Sequence, residues 1–162
     1  FLRSTLPTTI DVRSEIRDTC VMARADPTQI KQVIINLGSN AGYAMREQGG
    51  TLDVIESSID LSKEEAEKIS PELAPGPYIH VTVKDTGSGM DEETLEHIFE
   101  PFFSTKMGEG TGMGLAVAHG IVEEHRGAIT VQSKPGQGSS FSVYLPSVTD
   151  ECSEESTGKD AK

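Results

Sequence analysis

The chain has 162 residues, enough for one domain with a hydrophobic core, and its net charge of −12 at pH 7 argues against a nucleic-acid-binding surface. No segment approaches the roughly 20 apolar residues of a membrane span, and the first residues lack the apolar core of a signal peptide. The two cysteines, Cys20 and Cys152, form no disulfide framework or metal-binding pattern, which favours reduced thiols in a reducing cytosol.

The first elements predicted are a strand, a second short strand and a long helix. Residues 8–13 alternate apolar and polar side chains, a strand pattern, and residues 19–23 predict the second strand. A helix begins after Asp26, because aspartate is a good N-cap and Pro27 suits the first helical position. Its apolar side chains recur at helical spacing, and the glycine pair at 49–50 is predicted to end it.

The same helix carries a stripe of three side-chain amides. Gln32, Asn36 and Asn40 are four residues apart, so they lie on one face of the helix. Asparagine is a poor helix former, and the stripe therefore needs a reason. The amides either bond to neighbouring loops or contribute oxygen ligands to Mg²⁺, which shares its ligands with phosphates. Two asparagines in this context favour the metal.

The rest of the chain mixes strands and helices without a regular βαβ series. The pattern predicts strands at 51–57 and 78–85, a loop with one short helix at 59–76, a helix from Asp91 to about Ile98, a mobile loop at 103–112, a helix at 113–127 and a hairpin of two final strands. This order predicts an α/β sandwich, with one mixed sheet covered by helices on one face. The folded domain is predicted to span residues 1–146, and the polar, acidic residues 147–162 to be a disordered tail or linker.

Asp85 ends the clearest strand. Ile79, Val81 and Val83 share one strand face, and the period of two places Asp85 on that same inward face. A buried carboxylate must find hydrogen-bond donors. From the spacing alone, two interpretations are equally good: Asp85 caps the turn made by the next two glycines, or it accepts a hydrogen bond from a ligand amine such as that of adenine.

A glycine-rich segment, "GEGTGMGL" at 108–115, leads directly into a helix. Glycines let the backbone approach a ligand closely, and a helix N-terminus offers free N–H groups to phosphate. The segment is neither a Rossmann motif, since no strand precedes it, nor a P-loop, since no Lys-Ser/Thr follows the glycines. A flexible loop before a helix remains the alternative interpretation.

Together these segments resemble the ATP-binding catalytic domain of sensor histidine kinases, in the wider family that also holds gyrase-type ATPases and Hsp90. The similar motifs are the asparagine box "NLGSNA" (36–41), the first glycine box "DTGSGM" (85–90), the phenylalanine box "IFEPFFSTK" (98–106), the second glycine box "GTGMGL" (110–115) and the closing strand "GQGSSFSVYLP" (136–146). The sequences "NAGYAM" and "PFFSTK", which lie in or overlap these motifs, are most similar to those of the nitrogen-regulation type and hybrid sensor kinases. The resemblance implies a two-layer α/β sandwich of the Bergerat type with a flexible ATP lid.

The resemblance also implies roles by position, with ATP and Mg²⁺ as cofactors. Asn40 would ligate Mg²⁺, Asn36 would act as a catalytic amide in the same pocket, and Asp85 would bind the adenine amino group. Phe102 and Phe103 would anchor the lid. The full set of expected ATP-binding residues is Asn36, Asn40, Tyr43, Asp85, Gly87, Gly89, Met90, Phe102, Phe103, Thr105, Lys106, Gly110, Thr111, Gly112, Met113, Gly114, Leu115 and Ser139.

One position departs from the family pattern. Many members carry a basic residue three positions after the metal-binding asparagine, and this chain has Tyr43 there. Lys106 in the lid, or Arg46 one turn further on, would supply the missing charge. The "STK" wording of this subtype favours Lys106 as the catalytic cation.

The resemblance implies a protein histidine kinase of a bacterial two-component phosphorelay. None of the chain's histidines, His80, His97, His119 and His125, lies in an H-E-x-x-x-P context, so the phosphoacceptor is expected on a dimerisation segment outside this chain. A response regulator or receiver domain would act downstream, and we expect no nucleic-acid partner, a monomeric isolated domain and a cytoplasmic location, with any membrane anchor in segments absent here.

Two alternatives stay open: an ATP-hydrolysing switch of the gyrase or Hsp90 kind, and a degenerate nucleotide sensor. Hydrolysis needs a general base beside the γ-phosphate. Hydrolytic relatives have a glutamate four positions before the metal-binding asparagine, where this chain has Asn36. An amide cannot take a proton, which favours the kinase, whereas Tyr43 keeps the degenerate sensor under consideration.

Overall fold

A six-stranded mixed sheet organises the domain in the computed structural model, which describes residues 1–17, 21–106 and 108–148. The elements in chain order are α1 Leu2–Thr5, β1 Ile10–Ile16, β2 Met22–Ala23, α2 Pro27–Ala44, β3 Gly50–Leu61, α3 Lys63–Ile69, β4 Gly76–Asp85, α4 Glu92–His97, α5 Gly114–Glu124, β5 Ala128–Ser133 and β6 Ser139–Val148. The strand order is β1-β3-β4-β6-β2, with β5 also paired to β6. β1 and β3 are parallel, and the other pairings are antiparallel. In the part of the chain so described, no helix combines the length and apolar character needed to cross a bilayer.

The two long helices, α2 and α5, pack against one face of the sheet. The fully buried side chains of this core come from both layers: Val33 and Leu37 of α2, Ala118 and Val122 of α5, and Leu52, Val83 and Phe141 of the strands. Each buried Leu, Val or Phe contributes about 1.5–3 kcal/mol from the area it removes from water. The predicted two-layer α/β sandwich with a mixed sheet is confirmed.

The short helix α3 packs separately from this core. Its Ala66 lies in a second, smaller cluster with Leu61, Leu73, Tyr78 and Ala128. Because side chains alternate along a strand, Tyr78 belongs to the face opposite Ile79 and Val83. The helices that cover one face of the sheet, as predicted, are α2 and α5. The short helix α3 covers one end of the opposite face.

The start of α2 is as predicted and its end is not. The Asp26 side chain accepts a hydrogen bond from the Thr28 N–H, and Pro27 opens the helix. The helix ends at Ala44, before a turn, so the glycine pair begins too late to end it. Gly49 instead returns the chain into β3: its φ is 68°, and a Cβ there would lie 2.5 Å from the Thr9 carbonyl oxygen.

The sheet extends past the predicted domain boundary at residue 146. In β6, Ser147 pairs with Ala23 and Val148 with Met22, so the first two residues of the predicted tail belong to the sheet. Met22 and Ala23 form β2, whereas residues 19–20 of that predicted strand lie outside the described residues. Residues 149–162 of the predicted tail, and both cysteines, also lie outside the described residues.

Candidate functional site

A cleft of about 230 Å³ lies between α2, α4 and the glycine-rich loop before α5. Most of its lining was predicted from the sequence: Asn36, Asn40, Met90, Phe103, Thr105, Lys106, Gly110, Thr111, Gly112, Gly114 and Leu115. Ser39, Thr94, Ile98 and Ser104 also line it and were not predicted. Binding pockets for small molecules typically measure roughly 300–1,000 Å³, so the cleft by itself is smaller than a typical pocket for a small molecule.

Asp85 is buried at the end of β4, with only 2% of its surface exposed. Its Oδ1 accepts hydrogen bonds from the Gly87 N–H at 2.8 Å and the Ser139 N–H at 3.3 Å. Burial raises the pKa of the Asp85 carboxyl, and these two hydrogen bonds oppose the rise. Oδ1 therefore caps the turn, as one of the two interpretations predicts. Both hydrogen bonds use Oδ1, so Oδ2 is available to a ligand.

Asp85 does not line the cleft between α2, α4 and the glycine-rich loop. With Ser139, Leu95 and Gly138 it lines a neighbouring depression of about 530 Å³ beside β6. Ser139 Oγ lies 2.8 Å from the hydroxyl of Ser133, which also accepts a hydrogen bond from the Met90 N–H at 2.8 Å. Ser133 was missed by the sequence analysis, because nothing local marks a serine on β5 as a neighbour of the β4 end.

The first glycine box is held by close backbone contacts. A Cβ on Gly89, whose φ is 67°, would lie only 1.9 Å from the Lys134 carbonyl oxygen of the β5–β6 hairpin. The next-door Ser88 N–H donates to the Ala44 carbonyl at the end of α2 at 3.2 Å. The turn after Asp85 therefore joins the hairpin to α2, and any side chain at position 89 would separate them.

The amide stripe divides into two roles. Gln32 Nε2 donates to Asn36 Oδ1 at 2.7 Å, and Asn36 Nδ2 donates to the Gly114 carbonyl at 2.9 Å, so this pair ties α2 to the start of α5. Asn40 lines the cleft, and its side chain has no hydrogen-bond partner within the described part of the chain. Loop bonding thus accounts for Asn36 in this structure, and the free amide of Asn40 is available to a ligand.

The donor set at the cleft suits magnesium bound together with phosphate. The described residues contain no group of three or more His, Cys, Asp or Glu side chains that could hold a metal alone. Mg²⁺ usually keeps several waters and binds through one or two protein ligands plus substrate phosphates. The Asn40 amide oxygen fits that arrangement.

The phenylalanine box and the second glycine box meet at the base of the lid, which we define as the described residues 102–106 and 108–112. The Phe102 N–H donates to the Gly112 carbonyl at 3.1 Å, which joins the two ends of this loop. Phe103 lines the cleft and its ring lies 5.6 Å from that of His97. Phe102 is 79% exposed, so only Phe103 faces the cleft in this conformation.

The N-terminus of α5 opens beside the cleft. Met113 is its N-cap and makes no side-chain capping hydrogen bond, and Gly114 and Leu115 line the cleft. The first N–H groups of a helix have no partner within the helix and favour anions. The N-terminus of α5 therefore offers donors of the kind that bind phosphate, and phosphate binding at this end stays a prediction.

Replacing Gly112 with alanine should open the base of the lid. Its φ is 68°, and a Cβ would lie 2.6 Å from the Phe102 carbonyl carbon, so the backbone must shift here, which strains the Phe102–Gly112 hydrogen bond. We expect nucleotide affinity to fall by about tenfold, because the lid then starts from a less closed state. Gly108→Ala is the matched control: its φ is 72° and a Cβ there meets nothing within 4 Å. Equal losses in both variants, measured by calorimetric titration, would contradict this account.

Comparisons with known proteins agree with this geometry. The family model described as "Histidine kinase-, DNA gyrase B-, and HSP90-like ATPase" matches residues 25–149. The sensor histidine kinase ZraS of Escherichia coli is 38% identical over 137 residues, which cover 85% of this chain and 26% of ZraS. Sporulation kinase A of Bacillus subtilis is also 38% identical over 137 residues, covering 85% of this chain and 20% of that protein. This chain therefore spans about a quarter or less of these curated relatives.

A solved structure shares both fold and sequence with the chain. The catalytic domain of histidine kinase ThkA, in a nucleotide-free form, superposes with a TM-score of 0.66 at 31% identity. The match covers 85% of this chain and 80% of that domain. The fold of this chain is therefore shared with that solved catalytic domain over most of the length of both.

Proposed function

The chain belongs to the family of histidine kinase-, DNA gyrase B- and HSP90-like ATPases, and we propose that it is the ATP-binding catalytic domain of a sensor histidine kinase. In this proposal it holds Mg–ATP and transfers the γ-phosphoryl group to a histidine on a dimerisation segment of the same full-length protein. A response regulator or receiver domain receives the group next. The proposed domain comprises residues 1–148, because β6 ends at Val148.

The observation that carries the proposal is the composition of the cleft. Its described lining contains one cation, Lys106, together with apolar side chains and amide, hydroxyl and backbone groups, and no Asp, Glu or His side chain. A site that hydrolyses ATP needs a general base within reach of the attacking water. The cleft therefore favours transfer to an external nucleophile over hydrolysis.

Asn36 supports the same choice. Its side chain already accepts from Gln32 and donates to Gly114, so it is engaged at both ends. In the proposed mechanism Asn36 positions the start of α5, where the phosphates bind, and it is not a proton acceptor. The ATP-hydrolysing alternative would require a carboxylate in the cleft, and none of the described residues places one there.

The proposed catalysis rests on positioning and charge neutralisation. Asp85 Oδ2 accepts a hydrogen bond from the adenine amino group, and the N-terminus of α5 and Lys106 hold phosphate oxygens. Mg²⁺, bound by Asn40 and phosphate oxygens, would offset the charge on the triphosphate. The bond from the γ-phosphorus to the bridging oxygen breaks, ADP leaves, and a phosphorus–nitrogen bond forms to the histidine supplied by the partner segment.

The test mixes this domain with the histidine-bearing segment of its full-length protein and γ-labelled ATP. We expect label on the segment that is labile in acid and stable in base, and no label when that histidine is replaced by glutamine. A domain that binds Mg–ATP and leaves the segment unlabelled would refute the kinase proposal and favour a nucleotide sensor.

A further inference from the structure

Tyr43 lies in the last turn of α2 with two cations against its ring. The Arg46 guanidinium carbon is 3.8 Å from the ring centroid, and the Lys106 ammonium nitrogen is 4.6 Å from it. Both distances are within the range of cation–π attraction, which extends to about 6 Å. A residue of the lid and a residue after α2 are thus held on one aromatic side chain.

Among the described residues, neither cation has a carboxylate oxygen within hydrogen-bond distance. Arg46 Nη2 lies 3.9 Å from Glu47 Oε1, at the limit of an ion pair, and both groups are exposed. Within the described residues Lys106 forms no ion pair, and Glu109 acts on it only through space. Burial first, and then the Arg46 charge, lower the pKa of the Lys106 ammonium. Two like charges are therefore held together in a chain whose net charge is −12.

The location of Lys106 and Arg46 indicates which anion the two cations could bind. Lys106 lines the same cleft as Asn40. Tyr43 follows Asn40 by three residues, which corresponds to a rise of about 4.5 Å along the helix. The Tyr43 ring, with both cations against it, therefore lies about one helical turn beyond the free amide assigned to Mg²⁺. Lys106 reaches the cleft from this ring, and Arg46 lines a second depression together with Tyr43 and Gly87. An anion bound between them would be the terminal phosphate end of a nucleotide whose adenine lies at Asp85.

We propose that Tyr43 is a positioning residue whose ring assembles Arg46 and Lys106 into a two-cation subsite for the terminal phosphates of Mg–ATP. This inference rests on the proposed function and deepens it. It assigns a role to the position where many family members carry a basic side chain: here the aromatic ring recruits two cations from elsewhere in the chain. The subsite recognises the β- and γ-phosphates and contributes nothing to adenosine binding.

The test compares the affinities for Mg–ATP and AMP by calorimetric titration. Tyr43→Leu removes the ring face without adding charge, and we expect Mg–ATP binding to weaken by about 3- to 30-fold. AMP binding should change by less than about twofold, because Asp85 and the first glycine box are untouched. Tyr43→Phe keeps the ring and should restore Mg–ATP affinity. In Lys106→Met, a second change of Tyr43→Leu should cost less than it does alone, because Tyr43 acts partly through Lys106.

Tyr144→Leu is the matched control for loss of a tyrosine ring. The Tyr144 ring stacks on that of His80, with 4.6 Å between ring centroids, on the sheet face opposite α2 and α5. If Tyr43→Leu does not fold, Tyr43→Lys gives an independent arm, because a direct charge should make Mg–ATP affinity insensitive to Lys106→Met. Unchanged Mg–ATP affinity in folded Tyr43→Leu, or equal losses for ATP and AMP, would overturn the inference. A parent domain that binds no Mg–ATP would instead overturn the proposed function itself.

Discussion

Replacing Asp85 with asparagine should weaken Mg–ATP binding by about 10- to 150-fold and leave the domain at least as stable as the parent. The carboxylate Oδ2 is the expected acceptor for the adenine amino group. Asparagine keeps the Oδ1 acceptor for the Gly87 and Ser139 N–H groups. In place of Oδ2, however, it has an NH₂ group, which cannot accept a hydrogen bond from the adenine amino group. A lost hydrogen bond to a charged group costs about 1.5–3 kcal/mol, which gives the predicted loss of affinity.

The stability half of this prediction follows from the sign of the pKa shift. Burial raises the pKa of Asp85 in the folded protein above its value in the unfolded chain, which is about 4. The stability associated with the protonated form is present below about pH 4 and is lost as pH rises through the folded pKa. Asparagine does not titrate. The difference in melting temperature, variant minus parent, should therefore increase as the pH rises from about 4 to the folded pKa of Asp85. At higher pH the difference should stay constant.

Both halves can be measured on one pair of proteins, by calorimetric titration with Mg–ATP and by thermal unfolding from pH 3 to pH 8. AMP should lose as much affinity as ATP, since the change is at the adenine end, which distinguishes Asp85→Asn from Tyr43→Leu. Asp53→Asn serves as the control, because Asp53 is a less buried carboxylate on β3. If Asp85→Asn bound Mg–ATP like the parent, the assignment of the adenine anchor would be wrong.

Replacing Asn40 with alanine should lower the phosphotransfer rate by about 100- to 1,000-fold, the usual cost of removing one preorganised polar group that stabilises developing charge. The Asn40 amide lines the cleft without a partner among the described residues, so its removal leaves no protein group unsatisfied. The fold should therefore be unaffected, and the loss should appear in the rate of transfer. The readout is the initial rate of labelling of the histidine-bearing segment at saturating Mg–ATP.

Two comparisons sharpen the Asn40 prediction. Lys63→Ala controls for loss of a polar side chain, because the Lys63 side chain is exposed on α3 and does not line the cleft. The affinity for Mg²⁺-free AMP should be the same in Asn40→Ala and the parent, since the amide is assigned to the metal. A variant that transfers phosphate at the parental rate would show that another group holds the metal.

The sequence was sufficient for the elements that have local signals. Asp26 and Pro27 mark the start of α2, and its apolar spacing identifies the buried face correctly, because capping and periodicity are properties of neighbouring residues. The end of α2 was misplaced because a glycine pair also serves to turn a chain into a strand, as Gly49 does. β3 runs to Leu61, past its predicted end at 57, because its last residues pair with the start of β4.

The candidate site divides in the same way. Motifs placed Asn40, Asp85 and the glycine boxes, since each is a contiguous pattern in the sequence. The hydrogen bond from Asn36 to Gly114 spans 78 residues, and the contact of Lys106 with Tyr43 joins the lid to α2, so no local pattern could reveal either. Phe102 was expected to anchor the lid. In this structure its backbone N–H joins the lid ends and its ring is exposed.

The most direct test of the central claim is the partition of the γ-phosphoryl group between histidine and water in a single turnover. The domain, Mg–γ-labelled ATP and the histidine-bearing segment are mixed, and phosphohistidine and free phosphate are measured over time. Because the described cleft lining holds no carboxylate or imidazole to activate water, we expect phosphohistidine to form faster than phosphate is released. Rapid release of phosphate with no phosphohistidine would contradict the account and identify a hydrolytic ATPase.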